Sequence, residues 1–503
     1  MEYFYTRNDD LLRSKINKTF PELLTCSDSK FDEWVDELCV AIAYRWDVLG
    51  IPPHSGLSLE SLGSEFKRLV NTDCSGMFTL DEQTRSLDIV ADSARVSAAN
   101  QFFPNIQKAK DSVGQGLAIS VYDLYTAPDS RTRIKAVLHK ALRRDGFYSY
   151  SPVYRVPPGF RGDLRREAVR FVKECPNDKG FWLEQTGKNE QRTPRLRGKE
   201  LKALSNSGSI SKKHLNGIIL SDISDDDLFR IRIFPTGEKA EKVLPSVFRC
   251  VQLSGISTPN NFPAGIARLL YRYATERCRE QDEIVIYDPS MGFGGRLLGA
   301  LSLRDRAIHY IGTDPNTENW IPELGISRYE YMQKVFQSHV RSGPDFKGTY
   351  LCCGSEEVAQ QEVFKQYKGK VDFIFTSPPY FAAEIYSEEA TQSAVKYRTY
   401  EAWRDEFLRP TLETCAVWLR NQRNMAFNIA DVNINSTQYP LERDTVEILN
   451  QCGLQHIGTL KMLLAVSPNH QVSKLTRQPT TKNFCLVNGK WRKYEPIFVF
   501  YKP

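Results

Sequence analysis

The run from Val371 to Phe381, VDFIFTSPPYF, constrains the fold of this 503-residue chain more than any other stretch. Val371, Phe373 and Phe375 alternate with Asp372, Ile374 and Thr376, and so short a β-branched and aromatic run predicts a buried strand. Pro378 and Pro379 end it, because proline cannot donate to a sheet ladder and its φ is fixed. Ser377 therefore stands at the strand's C-terminal end with Tyr380 just beyond, the edge at which open α/β sheets bind ligands.

A second stretch fits the same kind of sheet. Glu283 to Tyr287 predicts a strand, Asp288 to Gly295 a glycine-rich turn, Arg296 to Leu301 the start of a helix, and His309 to Gly312 a strand ending near Asp314. This is a βαβ unit, in which a turn with little side-chain bulk lets the backbone approach a ligand and the acidic residue can accept from ribose hydroxyls. Alone, such a turn suits a dinucleotide as well as S-adenosylmethionine. Further strands are expected at Thr349 to Cys353 and Met425 to Ile429. LQHIGTLKMLLAV and EPIFVFYK would form a closing antiparallel pair.

Both motifs carry a resemblance. DPSMGFGG resembles the D-P-F-x-G-x-G cofactor motif of the DNA amino-methyltransferases, and TSPPY resembles their (D/N/S)-P-P-(Y/F/W) signature, in the serine form common among N4-cytosine enzymes. The resemblance covers roughly residues 255–503. It implies an α/β fold, a Rossmann-like class I methyltransferase domain with a mostly parallel sheet and a C-terminal antiparallel strand, preceded by a mainly helical, mixed α/β region. It implies S-adenosylmethionine as cofactor, with Asp288, Gly292 and Gly294 around its methionine moiety, Asp314 on the ribose, Ser355 and Glu356 near the adenine, and Phe262 of STPNNFPAG against the cofactor. The catalytic set would be Ser377, Pro378, Pro379 and Tyr380. An amine conjugated with its ring is a poor nucleophile, so Ser377 Oγ and the Pro378 carbonyl would hold its two N–H groups while Tyr380 stacks on the base. Glu384 and Tyr386 would lie near the pocket.

The implied reaction is methylation of an exocyclic amine of a flipped base in DNA, N4 of cytosine favoured over N6 of adenine by the serine. Three rivals remain at this stage: methylation of an RNA base, methylation of a protein glutamine, and a catalytically inactive nucleic-acid binder. Ser377 speaks against the glutamine enzymes, whose pattern resembles Asn-Pro-Pro-Tyr.

The distribution of charge bears on the partner. Residues 1–130 carry 12 Lys and Arg against 20 Asp and Glu, residues 131–250 carry 26 against 14, and the remainder 29 against 27. The basic excess therefore sits in one middle segment, which points to a polyanion partner. Domains are expected at 1–130 (acidic, mainly helical), 131–250 (basic, nucleic-acid recognition) and 251–503 (catalytic). Little chain follows the last predicted strand, so target recognition falls to the N-terminal half. Arg143, Arg144, Arg165 and Arg166, interleaved with aromatic residues, are the expected phosphate contacts.

With 41% hydrophobic and 25% charged residues the composition is that of an ordinary globular protein. No run is long and apolar enough for a membrane span and the N-terminus lacks a signal-peptide core, so a cytoplasmic protein is expected. Eleven scattered cysteines without C-x-x-C and seven histidines without H-x-x-x-H suggest reduced thiols and no metal.

Overall fold

The computed structural model describes residues 26–47, 59–91, 98–111, 119–139, 154, 156, 161–174, 179–186, 193–215, 218–235, 259–276, 278, 283–339, 345–464, 479 and 481–503. The chain divides into two units, one of residues 1–15, 35–134 and 255–503 and the other of residues 16–34 and 135–254.

In the larger unit, ten described strands share one sheet: β1 (Phe78–Asp81), β2 (Ser86–Val90), β3 (Ile284–Asp288), β4 (Ile308–Thr313), β5 (Phe346–Leu351), β6 (Val371–Thr376), β7 (Leu419–Asn428), β8 (Gln455–Leu463), β9 (Phe484–Val487) and β10 (Lys490–Lys502). Their order is β1-β2-β8-β10-β7-β6-β3-β4-β5, with β9 paired to β10. Neighbours from β5 to β7 run parallel, while β10 lies antiparallel to both β7 and β8. A parallel core whose last strand inserts antiparallel beside the penultimate one is the Rossmann-like class I methyltransferase arrangement.

All six residues of β6 are buried, as a central parallel strand covered on both faces requires. Phe373 and Phe375 join the core formed with helices α1 (Leu59–Val70), α2 (Ala264–Ala274), α3 (Gly295–Leu301) and α4 (Arg328–His339), while Ile374 joins the core under α5 (Arg409–Trp418). Val371 packs with Ile374 and not, as simple alternation predicts, with Phe373. The β6–β7 register shifts between Val371 and Phe373, and such an irregularity breaks the period-2 alternation. Buried Asp372 accepts from the Val285 amide at 3.0 Å and from Arg420 at 2.9 Å.

The sheet reaches across the boundary expected at residue 251. The β1–β2 hairpin lays β2 parallel to β8, pairing Ile89 with Lys461 and Val90 with Met462. Lys461 Nζ pins it through Asp81 at 2.8 Å and Asp88 at 3.0 Å. Covering the edge of β8 removes a row of unpaired backbone groups. Strands of four and five residues leave little periodicity to read in sequence, which is why residues 1–130 are expected there as mainly helical.

The smaller unit contains a three-stranded antiparallel sheet, Leu228–Pro235 in the centre between Lys179–Thr186 and Arg195–Arg197, with helices Leu164–Lys173 and Gly198–Asn206. Ala168, Val172, Phe181, Leu183, Leu201 and Phe229 are among its core residues.

Candidate active site

The C-terminal ends of β3, β4 and β6 open onto a cavity of about 720 Å³ within the larger unit. Its first wall is the turn between β3 and α3. Gly292 and Gly294 have φ of +53° and +74°, a region that side chains with a Cβ rarely adopt. The turn is stapled from outside by Asn261, whose Nδ2 donates to the Phe293 carbonyl at 2.7 Å and whose Oδ1 accepts from the Gly295 amide at 3.1 Å. A Cβ on Gly295 would fall 2.2 Å from the Phe262 carbonyl oxygen, so only glycine permits this approach. Asn261 Nδ2 also donates to Asn100 Oδ1 at 3.0 Å, which ties the turn to the segment after β2. Phe262 lines the cavity, its ring edge-on to Phe375 at 5.1 Å and under the Arg296 guanidinium at 5.6 Å.

Asp288 does something different from what its motif position implies. It is fully buried, is not on the cavity wall, and its carboxylate is saturated: it accepts from Arg296 Nε at 2.9 Å, Tyr310 Oη at 2.7 Å, Thr376 Oγ1 at 2.9 Å and the Ser290 amide at 3.2 Å. Arg296 also reaches the Ser290 carbonyl. Asp288 therefore joins the ends of β3, β4 and β6 to the glycine turn, and a buried pair of this kind is costly to break from one side. Gly294 likewise faces away from the cavity, against Phe103 and Met332.

Asp314, just after β4, does line the cavity. Its Oδ2 accepts from the Gly292 amide at 3.0 Å; its Oδ1 accepts from the Asn316 amide at 2.9 Å and Asn319 Nδ2 at 3.0 Å. Burial pushes this carboxyl up from 3.8 to about 7, against the lowering effect of those three N–H donors. Asn319 is held in turn by Asn105 at 2.9 Å and Tyr329 at 2.9 Å, and Tyr329 Oη donates to the Gly292 carbonyl at 2.6 Å. Beyond β5, Ser355 pairs with Thr411 Oγ1 at 2.8 Å. Glu356 Oε1 takes Lys396 Nζ at 2.8 Å and Tyr397 Oη at 3.3 Å, but its buried Oε2 has no hydrogen-bond partner.

At the opposite end the signature residues leave β6. Ser377, Pro379 and Tyr380 line the cavity, whereas Pro378 is buried behind them and is not on its wall. Ser377 Oγ donates to Tyr380 Oη at 3.5 Å, and Tyr380 Oη donates to the Asn428 carbonyl at 3.2 Å. Phe381 takes a φ of +54°, rare for an aromatic residue. The turn is held by ring contacts of Phe381 with Tyr439 at 5.1 Å, Tyr400 at 5.7 Å and Trp403 at 6.0 Å. Glu384 and Tyr386 line the same end and are hydrogen-bonded to each other. Glu384–Ile385 pairs antiparallel with Lys110–Asp111, so the loop after the signature is also braced by the N-terminal segment. Glu495 of β10 completes this end.

Several of these residues escape the sequence reading. Asn261 stands beside Phe262 in NNFPAG, and Glu495 is the one carboxylate in EPIFVFYK, so each had a weak local signal. Asn100 and Asn105 had none.

Four arginines are expected as phosphate contacts. Arg143 and Arg144 fall outside the described residues. In the smaller unit, Arg165 is ion-paired with Glu200, while Arg166 has a side chain 91% exposed and approaches only Asp163, at 3.9 Å. Among the described residues, no group of His, Cys, Asp and Glu is placed to hold a metal, and no helix is long and apolar enough to cross a membrane.

No family model and no curated protein matches the chain. Solved structures that resemble it include TrmN from Thermus thermophilus, at 13% identity and a TM-score of 0.27 over 55% of this chain and 57% of that one. A TehB-like SAM-dependent methyltransferase from Corynebacterium glutamicum matches at 15% identity and 0.25, over 51% and 94%. A 1,6-didemethyltoxoflavin-N1-methyltransferase from Burkholderia thailandensis, with bound S-adenosylhomocysteine, matches at 8% and 0.27, over 48% and 77%.

Proposed function

We propose that this chain is an S-adenosylmethionine-dependent methyltransferase acting on the exocyclic amine of a base in DNA, with N4 of cytosine the favoured target. The observation that carries the reading is the placement of Asp314 and of Ser377 with Tyr380 on one cavity, at the ends of the two strands that flank β3 in a class I sheet. The residues present suit the cofactor. Asp314 offers remaining lone pairs to a ribose diol, and the orphaned Glu356 Oε2 is a ready acceptor for an adenine amine. Phe262 supplies an apolar wall.

The bound cofactor would supply a methyl group on a sulfonium. The protein's part is to hold the amine so that its lone pair faces that methyl. Ser377 Oγ accepts one amine N–H, and its backbone neighbours at the strand end limit how far the base can turn. Tyr380, fixed at its hydroxyl by Asn428, presents its ring to the base. Stacking and these hydrogen bonds offset the few kcal/mol of extruding a base. The alkylated nitrogen would then give up one proton to solvent in the cavity.

The smaller unit, with the basic excess of residues 131–250, is the part proposed to meet the DNA backbone. A cytoplasmic location is part of the proposal, in keeping with the reduced thiols that the scattered cysteines suggest.

Mass spectrometry of nucleosides from DNA and from RNA, each incubated with protein and isotopically labelled cofactor, tests the reading. The expected product is labelled N4-methyldeoxycytidine, absent with Ser377→Ala. Labelled ribonucleosides alone would move the substrate to RNA, label in protein glutamine would move it to protein, and no label anywhere would refute the reading.

A further inference from the structure

The methyl-acceptor end of the cavity holds a carboxyl that the proposed chemistry has not used. Glu495 stands on β10 opposite Met462 of β8, on the cavity wall with Ser377 and Tyr380. The Tyr380 hydroxyl and the Asn428 side-chain amide are close enough to lower the pKa of its carboxyl. Those two groups are themselves anchored: Tyr380 Oη donates to the Asn428 carbonyl at 3.2 Å, and Asn428 Nδ2 donates to the Pro496 carbonyl at 2.9 Å. Glu495 thus shares the cavity wall with Ser377, beside a hydrogen-bonded chain of Tyr380, Asn428 and Pro496. A positioned polar group of this kind has a consequence for selectivity, because a site built to hydrogen-bond one edge of a ligand rejects an analogue that lacks the partner.

An exocyclic amine of cytosine or adenine is always next to a ring nitrogen that bears a lone pair, so the target edge reads donor, then acceptor. Ser377 answers the donor. We propose that Glu495 answers the acceptor, donating a hydrogen bond from its carboxyl O–H to the ring nitrogen beside the methylated amine, and so selects an amine that is flanked by a ring lone pair. This rests on the base-methylation reading above and adds to it a residue that recognises the substrate.

The electrostatics of the pocket favour the protonated form that this role needs. Burial is the largest influence on Glu495 and pushes its carboxyl above the usual range; the Tyr380 hydroxyl, the Asn428 amide and Lys493 act in the other direction. A second carboxylate, Glu384, faces the same space with Tyr386, and both tyrosine hydroxyls feel Glu384 and Glu495 together. Arg296 acts on Tyr386 from the glycine turn, and its guanidinium is already committed to Asp288. An amine whose flanking ring atom is C–H or N–H would leave the Glu495 proton without an acceptor.

The test uses the full-length protein with labelled cofactor and synthetic duplexes in which the methylated cytosine is replaced by 3-deazacytosine, which keeps the amine and lacks the ring nitrogen. Wild type should methylate the deaza duplex on the order of a hundredfold more slowly than the parent, and Glu495→Ala should methylate both equally slowly. Glu495→Gln, which keeps a donor, should retain the rate on the parent duplex to within about tenfold and lose the fall in rate that wild type shows as the carboxyl ionises at rising pH. Duplex affinity measured by fluorescence anisotropy without cofactor gives an independent readout, expected to show the same parent-over-deaza preference in wild type and none in Glu495→Ala. If wild type treats parent and deaza duplexes alike, or if Glu495→Gln is as slow as Glu495→Ala with an unchanged pH profile, the assignment is overturned. Absence of methylation by wild type on any nucleic acid would instead overturn the base-methylation reading, so the two failures are distinct.

Discussion

Replacing Asp288 by alanine separates a framework role from a cofactor role. The carboxylate accepts four hydrogen bonds in a place with no solvent access, from Arg296, Tyr310, Thr376 and the Ser290 amide. Alanine would strand the Arg296 guanidinium, 6% exposed, without its counter-ion. Removing one partner of a buried ion pair costs about 3–5 kcal/mol. The stranded Tyr310 and Thr376 hydroxyls would each add on the order of 1 kcal/mol, offset in part by relaxation. That is a large fraction of the roughly 5–15 kcal/mol that stabilises a typical protein. Asp288→Asn keeps one acceptor oxygen but turns an NH2 toward the other two donors, so it should recover little, and Asp288→Leu combined with Arg296→Met should recover part of the loss, because an apolar pair leaves no charge buried. Urea denaturation followed by tyrosine and tryptophan fluorescence measures the stability, and calorimetry with S-adenosylmethionine measures the affinity. If Asp288→Ala unfolded at the wild-type urea midpoint yet no longer bound cofactor, the framework argument would be refuted and the carboxylate would belong to the ligand.

Asp314→Ala should weaken cofactor binding by about 1.5–3 kcal/mol for each lost charge-assisted bond, as read by calorimetry. Because burial raises that carboxyl to about 7, cofactor affinity in wild type should climb from about pH 6 to about pH 8 as the stronger acceptor forms, and Asp314→Asn should flatten the climb. The same shift makes the group's contribution to folding largest in acid: the unfolded chain gives up this proton near 3.8 and the folded one near 7, so stability from this residue falls as pH rises through that window. Asn261→Ala removes both staples of the glycine turn and should lower cofactor affinity by about 1–3 kcal/mol with the signature end unaffected, which an unchanged ratio of rates on different duplexes would verify. In DNA binding, Arg166→Gln should reduce the slope of log affinity against log salt by about 0.9 if it meets a phosphate, whereas Arg165→Gln, already paired with Glu200, should leave the slope in place.

What could be read from sequence was whatever depends on neighbours in the chain. β6, the turn after β3 and the closing pair of β8 and β10 each carry their own pattern of apolar alternation, glycine or proline, and each is found where that pattern places it. The side of the turn that Asp288 faces could not be read, because DPSMGFGG is compatible with a carboxylate aimed at a ligand and with one aimed back at Arg296. Only the arrival of Tyr310 from β4 and Thr376 from β6 decides between them. The same holds for Pro378, whose position in the signature says nothing of which neighbour's side chain reaches the cavity.

The N-terminal segment shows the limit most clearly. Residues 71–130 offer no motif, yet Asn100 reaches the staple of the glycine turn, Asn105 reaches the residue that orients Asp314, and Lys110–Asp111 pairs with the loop after the signature. An asparagine gains this role solely from what the fold brings against it, 161 positions away in the case of Asn100 and 214 in that of Asn105. Each of the two ends of the cavity is therefore held by groups from the same stretch. A cofactor that ordered the glycine turn would tighten Asn261 on Asn100, and the hairpin through which that stretch joins β8 would share the stabilisation. Residues 98–111 should then gain protection from amide hydrogen exchange on cofactor binding together with the turn at 289–295, although nothing in their own sequence marks them as part of the site.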